Sequence, residues 1–171
     1  HVTWWEEAGA FIEYMNRTSS MLSQGLFTAD ALYYYGDDSP NFVFLKDEVT
    51  DLGPGYSWDK CSYDLIMEDI TIEEGRIVLP DGMSYRIMVL PGEPSIKPGL
   101  LEKLRELVNQ GMILVGPKPQ KASGLKGYPG SDERVNRLAD ELWGTSDSND
   151  ITVNEVGKGK VFRGKTPGEV M

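Results

Sequence analysis

The apolar residues of the first stretch follow a helical spacing. Trp4, Ala8, Phe11, Ile12, Met15 and Leu22 fall on one face of a 3.6-residue repeat. Thr3-Trp4-Trp5-Glu6 in front of them has the form of a capping box, in which the Thr hydroxyl takes a helical N–H and Glu6 reaches back. Gly25 is the expected stop. Residues 28–35 then read as a strand, closed by the turn chemistry of Gly36-Asp37-Asp38-Ser39-Pro40. Residues 42–52 carry no clear period and are expected as loop. Ser57 is placed to cap a short helix with Trp58, Cys61, Leu65 and Ile66 on one face. Residues 70–80 alternate apolar and polar around Glu73-Glu74-Gly75, the pattern of a small hairpin.

Asp81-Gly82 turns the chain into residues 85–90, a nearly uninterrupted apolar run that suits a strand buried on both faces. Pro98 fits the first position of a helix striped by Leu101, Leu104, Leu107 and Val108, with Gly111 as its stop. Residues 112–115 make another buried strand, and 116–130, rich in Gly, Pro and Lys, a long surface loop. Ser131 is expected to cap a third helix with Val135, Leu138 and Leu142 inward and Gly144 at its end. Residues 151–162 read as a hairpin across Gly157-Lys158-Gly159, and Thr166-Pro167-Gly168-Glu169 as a second capping box. Alternating strands and helices of this kind predict an open α/β sheet with helices on both faces. The first helix stands apart, before the first strand, and carries a heavy aromatic load.

Composition changes this picture little. Apolar residues are 40% and charged ones 26% of 171, ordinary for a globular domain. Seventeen basic against twenty-seven acidic side chains leave a net charge of −10, which repels nucleic acid and anionic membrane, stays compatible with neutral sugars, and reads first as a charge that keeps the domain soluble. No apolar run approaches the roughly 20 residues of a membrane span. A single Cys and a single His leave no cysteine- or histidine-rich metal centre, and no intrachain disulfide. His1 in place of a starting Met, and a capping box followed by two residues, read as a piece of a longer polypeptide.

Several segments resemble the family 106 glycoside hydrolases, the large bacterial α-L-rhamnosidases. Thr3-Trp4-Trp5-Glu6 with Tyr14 and Arg17, the run from Gln24 through Gly36, Gly55-Tyr56-Ser57-Trp58-Asp59, Leu79 through Arg86, Leu90-Pro91 and Leu138 through Gly144 carry the likeness in order. The resemblance implies two parts. Residues 1–25 would be a helix from the end of the catalytic barrel. Residues 26–171 would be the domain that follows it, a three-layer, mostly parallel α/β fold of the flavodoxin-like or class I glutamine-amidotransferase-like kind. It further implies a non-catalytic accessory domain whose partner is the barrel, with plant or microbial polysaccharide reached through the parent enzyme. The inverting carboxylates and the family's calcium would lie on that barrel, outside this sequence, and the setting would be periplasmic or extracellular.

The candidate chemistry is sparse. Glu6/Glu7, Asp37/Asp38 and Glu73/Glu74 are carboxylate doublets, but inverting hydrolysis needs an acid and a base on either side of the sugar, roughly 6.5–9.5 Å apart. Tyr35, Asp37 and Asp38 sit at the carboxyl end of the first predicted strand, where open α/β sheets bind ligands. Acidic residues there do not cradle a phosphate, so no flavin or nucleotide is expected, while Asp and Tyr suit sugar hydroxyls. The same residues also read as a plain turn. Trp4 and Trp5 either line a sugar site or anchor the helix against the barrel. Cys61 is the only thiol for an independent hydrolase or amidotransferase-like enzyme. Its expected place inside a helix, with His1 as the only His, favours an ordinary buried cysteine. A stand-alone carbohydrate-binding module is a third reading, which calls for an exposed aromatic platform. In this chain alone the first helix's apolar stripe has to fold back on the body, pair with another copy or stay exposed, and self-association through residues 3–22 is expected.

Overall fold

Ile87, Met88 and Val89 are buried on both faces of the strand they form, and everything else is laid out around that strand. The computed structural model describes residues 3–37, 51–145 and 151–171. In chain order they form α1 (Gly9–Leu22), β1 (Ala31–Tyr34), β2 (Trp58–Cys61), α2 (Tyr63–Glu68), β3 (Thr71–Glu73), β4 (Arg76–Val78), β5 (Ser84–Tyr85) and β6 (Ile87–Val89). There follow β7 (Ser95–Ile96), α3 (Pro98–Gln110), β8 (Ile113–Val115), β9 (Lys121–Ala122), α4 (Gly130–Trp143), β10 (Thr152–Val156), β11 (Gly159–Arg163) and α5 (Pro167–Val170).

The main sheet has the order β10-β11-β8-β6-β1-β2, with β10 antiparallel and every other neighbour parallel. The fold is therefore a mixed α/β architecture on a mostly parallel sheet. Residues 85–90, expected as one strand, divide. Tyr85 ends the small antiparallel sheet β3-β4-β5, and 87–89 enter the main one. The hairpin between β3 and β4 turns through Glu74 and Gly75, both at positive φ (50° and 79°), which fits the twist of a two-residue loop.

Side chains alternate across the main sheet and feed two clusters. Leu32, Tyr34, Met88, Leu114 and Val161 meet the buried stripes of α2, α3 and α4 on one face. α3 supplies Leu100, Leu101, Leu104, Leu107 and Val108, all buried. Those five are worth on the order of 8–15 kcal/mol at about 1.5–3 each, an upper figure because an unfolded chain hides some area already. On the other face Ala31, Trp58, Ile87, Val89 and Val115 meet Leu52, Val170 and Met171. α5 starts with the expected capping box, Thr166 and Glu169 bonding reciprocally, and Gly168 donates its N–H to the Asp51 carbonyl at 3.0 Å.

Four local expectations are corrected. Trp58 and Cys61 lie on strand β2, and the short helix begins one residue after Ser62, whose hydroxyl accepts the Leu65 N–H. Thr3 caps nothing: Trp5–Glu7 is a 3-10 turn, α1 starts only at Gly9, and it ends at Leu22, short of Gly25. Ser131 lies inside α4, one residue after its start, with Pro129 at the cap. The 116–130 loop also contains β9, which pairs in parallel with β7.

α1 buries no residue, and its sustained contacts with other elements are confined to the 3-10 turn before it. The helix does not fold back: Trp4 is 58% and Phe11 60% exposed.

Candidate functional site

In an open α/β sheet, ligands enter at the carboxyl ends of the strands, where neighbouring connections leave toward opposite faces. Here that place lies between β1 and β6. Gly36, at φ 93°, carries the chain out of β1, and a Cβ on it would stand 2.9 Å from a carboxylate oxygen of Glu93. Only glycine suits both the dihedral and the spacing. The crevice is lined by Tyr34, Gly36, Leu90, Pro91, Glu93, Ser95, Ile96, Pro117 and Pro119, and its free volume is about 10 Å³. That is room for about one water.

Asp37 follows Gly36 beyond the end of β1. Its carboxylate is 1% exposed and accepts the Tyr34 hydroxyl at 2.7 Å and the Lys97 backbone N–H at 2.7 Å, with the Lys97 ammonium 3.3 Å away. Lys97 is the residue before Pro98, so this one carboxylate ties the end of β1 to the start of α3. The Lys97 ammonium also lies 4.3 Å from the ring centre of Tyr63. Burial first, and the Asp37 hydrogen bond second, push the Tyr34 hydroxyl far above its ordinary range. Tyr33 and Tyr85 repeat the arrangement, donating to Asp51 at 3.0 Å and Asp59 at 3.1 Å, and burial again leads the upward push.

Of the candidate sugar contacts, Tyr35 is half-buried beside Asp37, with the Lys60 ammonium 5.3 Å from its ring centre. Asp37 is engaged as just described, and Asp38 lies outside the described residues. Trp4 and Trp5 are brought to no part of this edge; they stand exposed on the turn before α1, 58% and 63%. Glu6, Glu7, Glu73 and Glu74 are exposed and line neither the crevice nor the wider cleft beside it. Cys61 ends β2 at 2% exposure, and burial pushes its thiol up to about 12, which keeps it protonated and poorly nucleophilic.

A wider cleft of about 430 Å³ opens over the ends of β6, β8 and β11. Glu93, Lys118, Gln120, Arg163 and Lys165 supply its polar groups, and Gly92, Gly116 and Gly164 its backbone. The sequence pattern singled out none of these as a group. The signal was a glycine just beyond each of three strands, followed within two residues by a charge. Lys118 corrects the expectation of a surface loop over 116–130: its side chain is 9% exposed, bridged to Asp140 at 2.7 Å and donating to the Gly144 carbonyl at 3.0 Å. No group of three or more potential metal ligands occurs among the described residues.

Comparison with known proteins places this architecture. The family model for α-L-rhamnosidases of glycoside hydrolase family 106 matches residues 1–171. A protein of Formosa agariphila named "Putative beta-glucuronidase" is 37% identical over 161 residues, 92% of this chain but 13% of that protein. The solved rhamnosidase from Novosphingobium sp. PP1Y superposes with a TM-score of 0.74 at 27% identity, over 94% of this chain and 15% of that one. The chain thus spans about an eighth to a seventh of the length of these relatives. With a family match along its whole length, and a relative that parallels nearly all of it, this chain belongs to glycoside hydrolase family 106, the α-L-rhamnosidases.

Proposed function

We propose that this chain is a non-catalytic accessory α/β domain of a larger rhamnosidase-type glycoside hydrolase, packed beside the catalytic barrel of that enzyme. The observation that carries the reading is the filled crevice. Where an α/β sheet of this kind would bind its ligand, two strand ends and three prolines leave about 10 Å³. Taken in chain order, the parallel strands run second, first, third, fourth, fifth across the sheet, the doubly wound order of flavodoxin-like folds. Helices α2 to α4 lie on one face and α5 on the other, which supports a three-layer arrangement close to the amidotransferase-like kind.

Two chemical arguments point the same way. An amidotransferase needs a thiolate, and the Cys61 thiol is buried and held at about 12. A flavin or nucleotide needs phosphate donors at the crevice, and a carboxylate sits there, so no cofactor is assigned to this domain. The relatives' names direct the parent's substrate toward L-rhamnosides or β-glucuronosides, presented by a polysaccharide in the periplasm or outside the cell. Tyr35 is the residue at the sheet edge best placed to lend an aromatic face to that sugar. The chain is tested with an aryl α-L-rhamnoside, an aryl β-glucuronide, glutamine and FMN. No turnover and no FMN binding by calorimetry are expected. Turnover that a point substitution in this chain abolishes overturns the reading.

A further inference from the structure

The wider cleft over the ends of β6, β8 and β11 has a firm floor and a charge that the rest of the chain does not share. Val89 is level with Val115 in the sheet and Val115 with Phe162, and the Gly116 N–H donates to the Phe162 carbonyl at 3.0 Å. The three strand ends are thereby held in one row. Above them Gln120 donates its N–H to the Pro94 carbonyl at 2.8 Å, so the connections that leave β6 and β8 are bonded to each other. Glycine follows each strand, as Gly92, Gly116 and Gly164. A Cβ on Gly116 would stand 2.7 Å from that of Leu90, and Gly164 lies at φ 76°. Bare backbone at these places lets a ligand come close to main-chain groups. The space of about 430 Å³ falls within the roughly 300–1,000 Å³ of small-molecule sites.

The chain carries a net charge of −10, yet this lining sets Lys118, Arg163 and Lys165 against the single carboxylate of Glu93. Asp140, 2.7 Å from the Lys118 ammonium, offsets that one cation. The Lys165 ammonium stands 5.6 Å from the ring centre of Phe162. Glu169, the carboxylate that Lys165 attracts, accepts the Thr166 N–H and hydroxyl and lines no part of the cleft. Arg163 and Lys165 against Glu93 therefore leave one positive charge in excess. That balance suits a ligand with one negative charge and disfavours a phosphate dianion, whose second charge would meet Glu93. A carboxylate matches the planar fork of an arginine. Glu93 as acceptor, and Gln120 as donor and acceptor, are partners that hydroxyl groups need.

We propose that this cleft binds a sugar carboxylate, a uronate, with Arg163 and Lys165 on the carboxylate and Glu93 and Gln120 on the hydroxyls. The proposal goes beyond the accessory reading: it requires binding without turnover, and its failure leaves that reading standing. Residues 1–171 are titrated with D-glucuronate, D-glucose and inorganic phosphate, each to about 50 mM, and followed by amide NMR shifts. D-glucuronate should bind with a dissociation constant on the order of millimolar and move the amides of Gly92, Gly116 and Gly164. Glucose, which lacks the charge, and phosphate, which carries too much, should each bind about tenfold more weakly or less well still. Lys165→Gln and Arg163→Gln should each weaken glucuronate binding about tenfold. Lys126→Gln, at an exposed position outside the cleft, should leave it unchanged. The amide spectrum of each variant checks its fold, and Lys165, the last residue before the α5 cap, is the substitution that tests the site should Arg163→Gln fail to fold. No glucuronate binding by about 50 mM, glucose or phosphate bound as tightly, or an affinity indifferent to Lys165→Gln overturns the proposal.

Discussion

α1 and α3 are close in length and in the spacing of their apolar residues, yet they have opposite fates. α3 places five aliphatic side chains against the sheet and buries each of them to 2% exposure or less. α1 carries larger apolar side chains and buries none. The difference lies in the sequence around them. Pro98 and Gly111 fix the ends of α3 between two strands, so that its stripe is carried over the sheet by a short crossover on each side. Eight residues separate α1 from β1, of which Leu26 reaches the body beside Gly82, and no short crossover ties the helix to the sheet among the described residues. A periodic pattern states that a face must be covered. Connectivity decides what covers it.

This contrast can be broken most sharply by truncation. Leu104→Ala, at 0% exposure in α3, is expected to cost about 2–5 kcal/mol in urea unfolding, the range for a buried leucine that leaves a cavity. Phe11→Ala in α1 should change the stability of dilute protein by no more than about 0.5 kcal/mol, as surface substitutions do. Equal losses at the two positions would mean that α1 is packed after all.

The Asp37 tie is next in size. Asp37→Ala strands the Tyr34 hydroxyl and the Lys97 N–H at the join between β1 and α3. It should destabilise by about 2–3 kcal/mol, more than Asp51→Ala beneath the more exposed Tyr33. A sugar-binding role for Asp37 would instead predict a nearly neutral effect on folding.

A smaller effect concerns alkali. Cys61, Tyr33, Tyr34 and Tyr85 all hold their protons more tightly in the fold than outside it. An unfolded chain therefore releases them first as pH rises. The contribution of these groups should be constant below the ordinary thiol value of 9.0 and fall above it, as Cys61 approaches its folded value of about 12. Urea midpoints at pH 8, 9.5 and 10.5 measure this, and a midpoint that rises with pH contradicts it.

The sheet and its helices were legible because their signals are long or doubly marked. α3 has thirteen residues with Pro at the start and Gly after the end, and the β10–β11 hairpin turns on Gly157 with its strands on either side. The Trp58 segment was misread because β2 is four residues long. Trp58, Cys61 and Leu65 are three and four apart, a helical spacing that straddles a strand, the Ser62 cap and a helix. Periodicity cannot place a boundary inside its own window. The edge residues were half legible. Strand ends located Asp37, but its burial and its bond to Lys97 depend on a register sixty residues away. Lys118 was hidden for the same reason, since Asp140 and Gly144 reach it from the far end of α4.

On this reading the fold is completed by residues 26–171, and α1, which buries no residue, adds little to its stability. Urea unfolding of a chain beginning at Leu26, beside that of residues 1–171, tests this most directly. The two unfolding midpoints should coincide. A truncated chain that is markedly less stable would show that α1 belongs to the core, and would contradict the account.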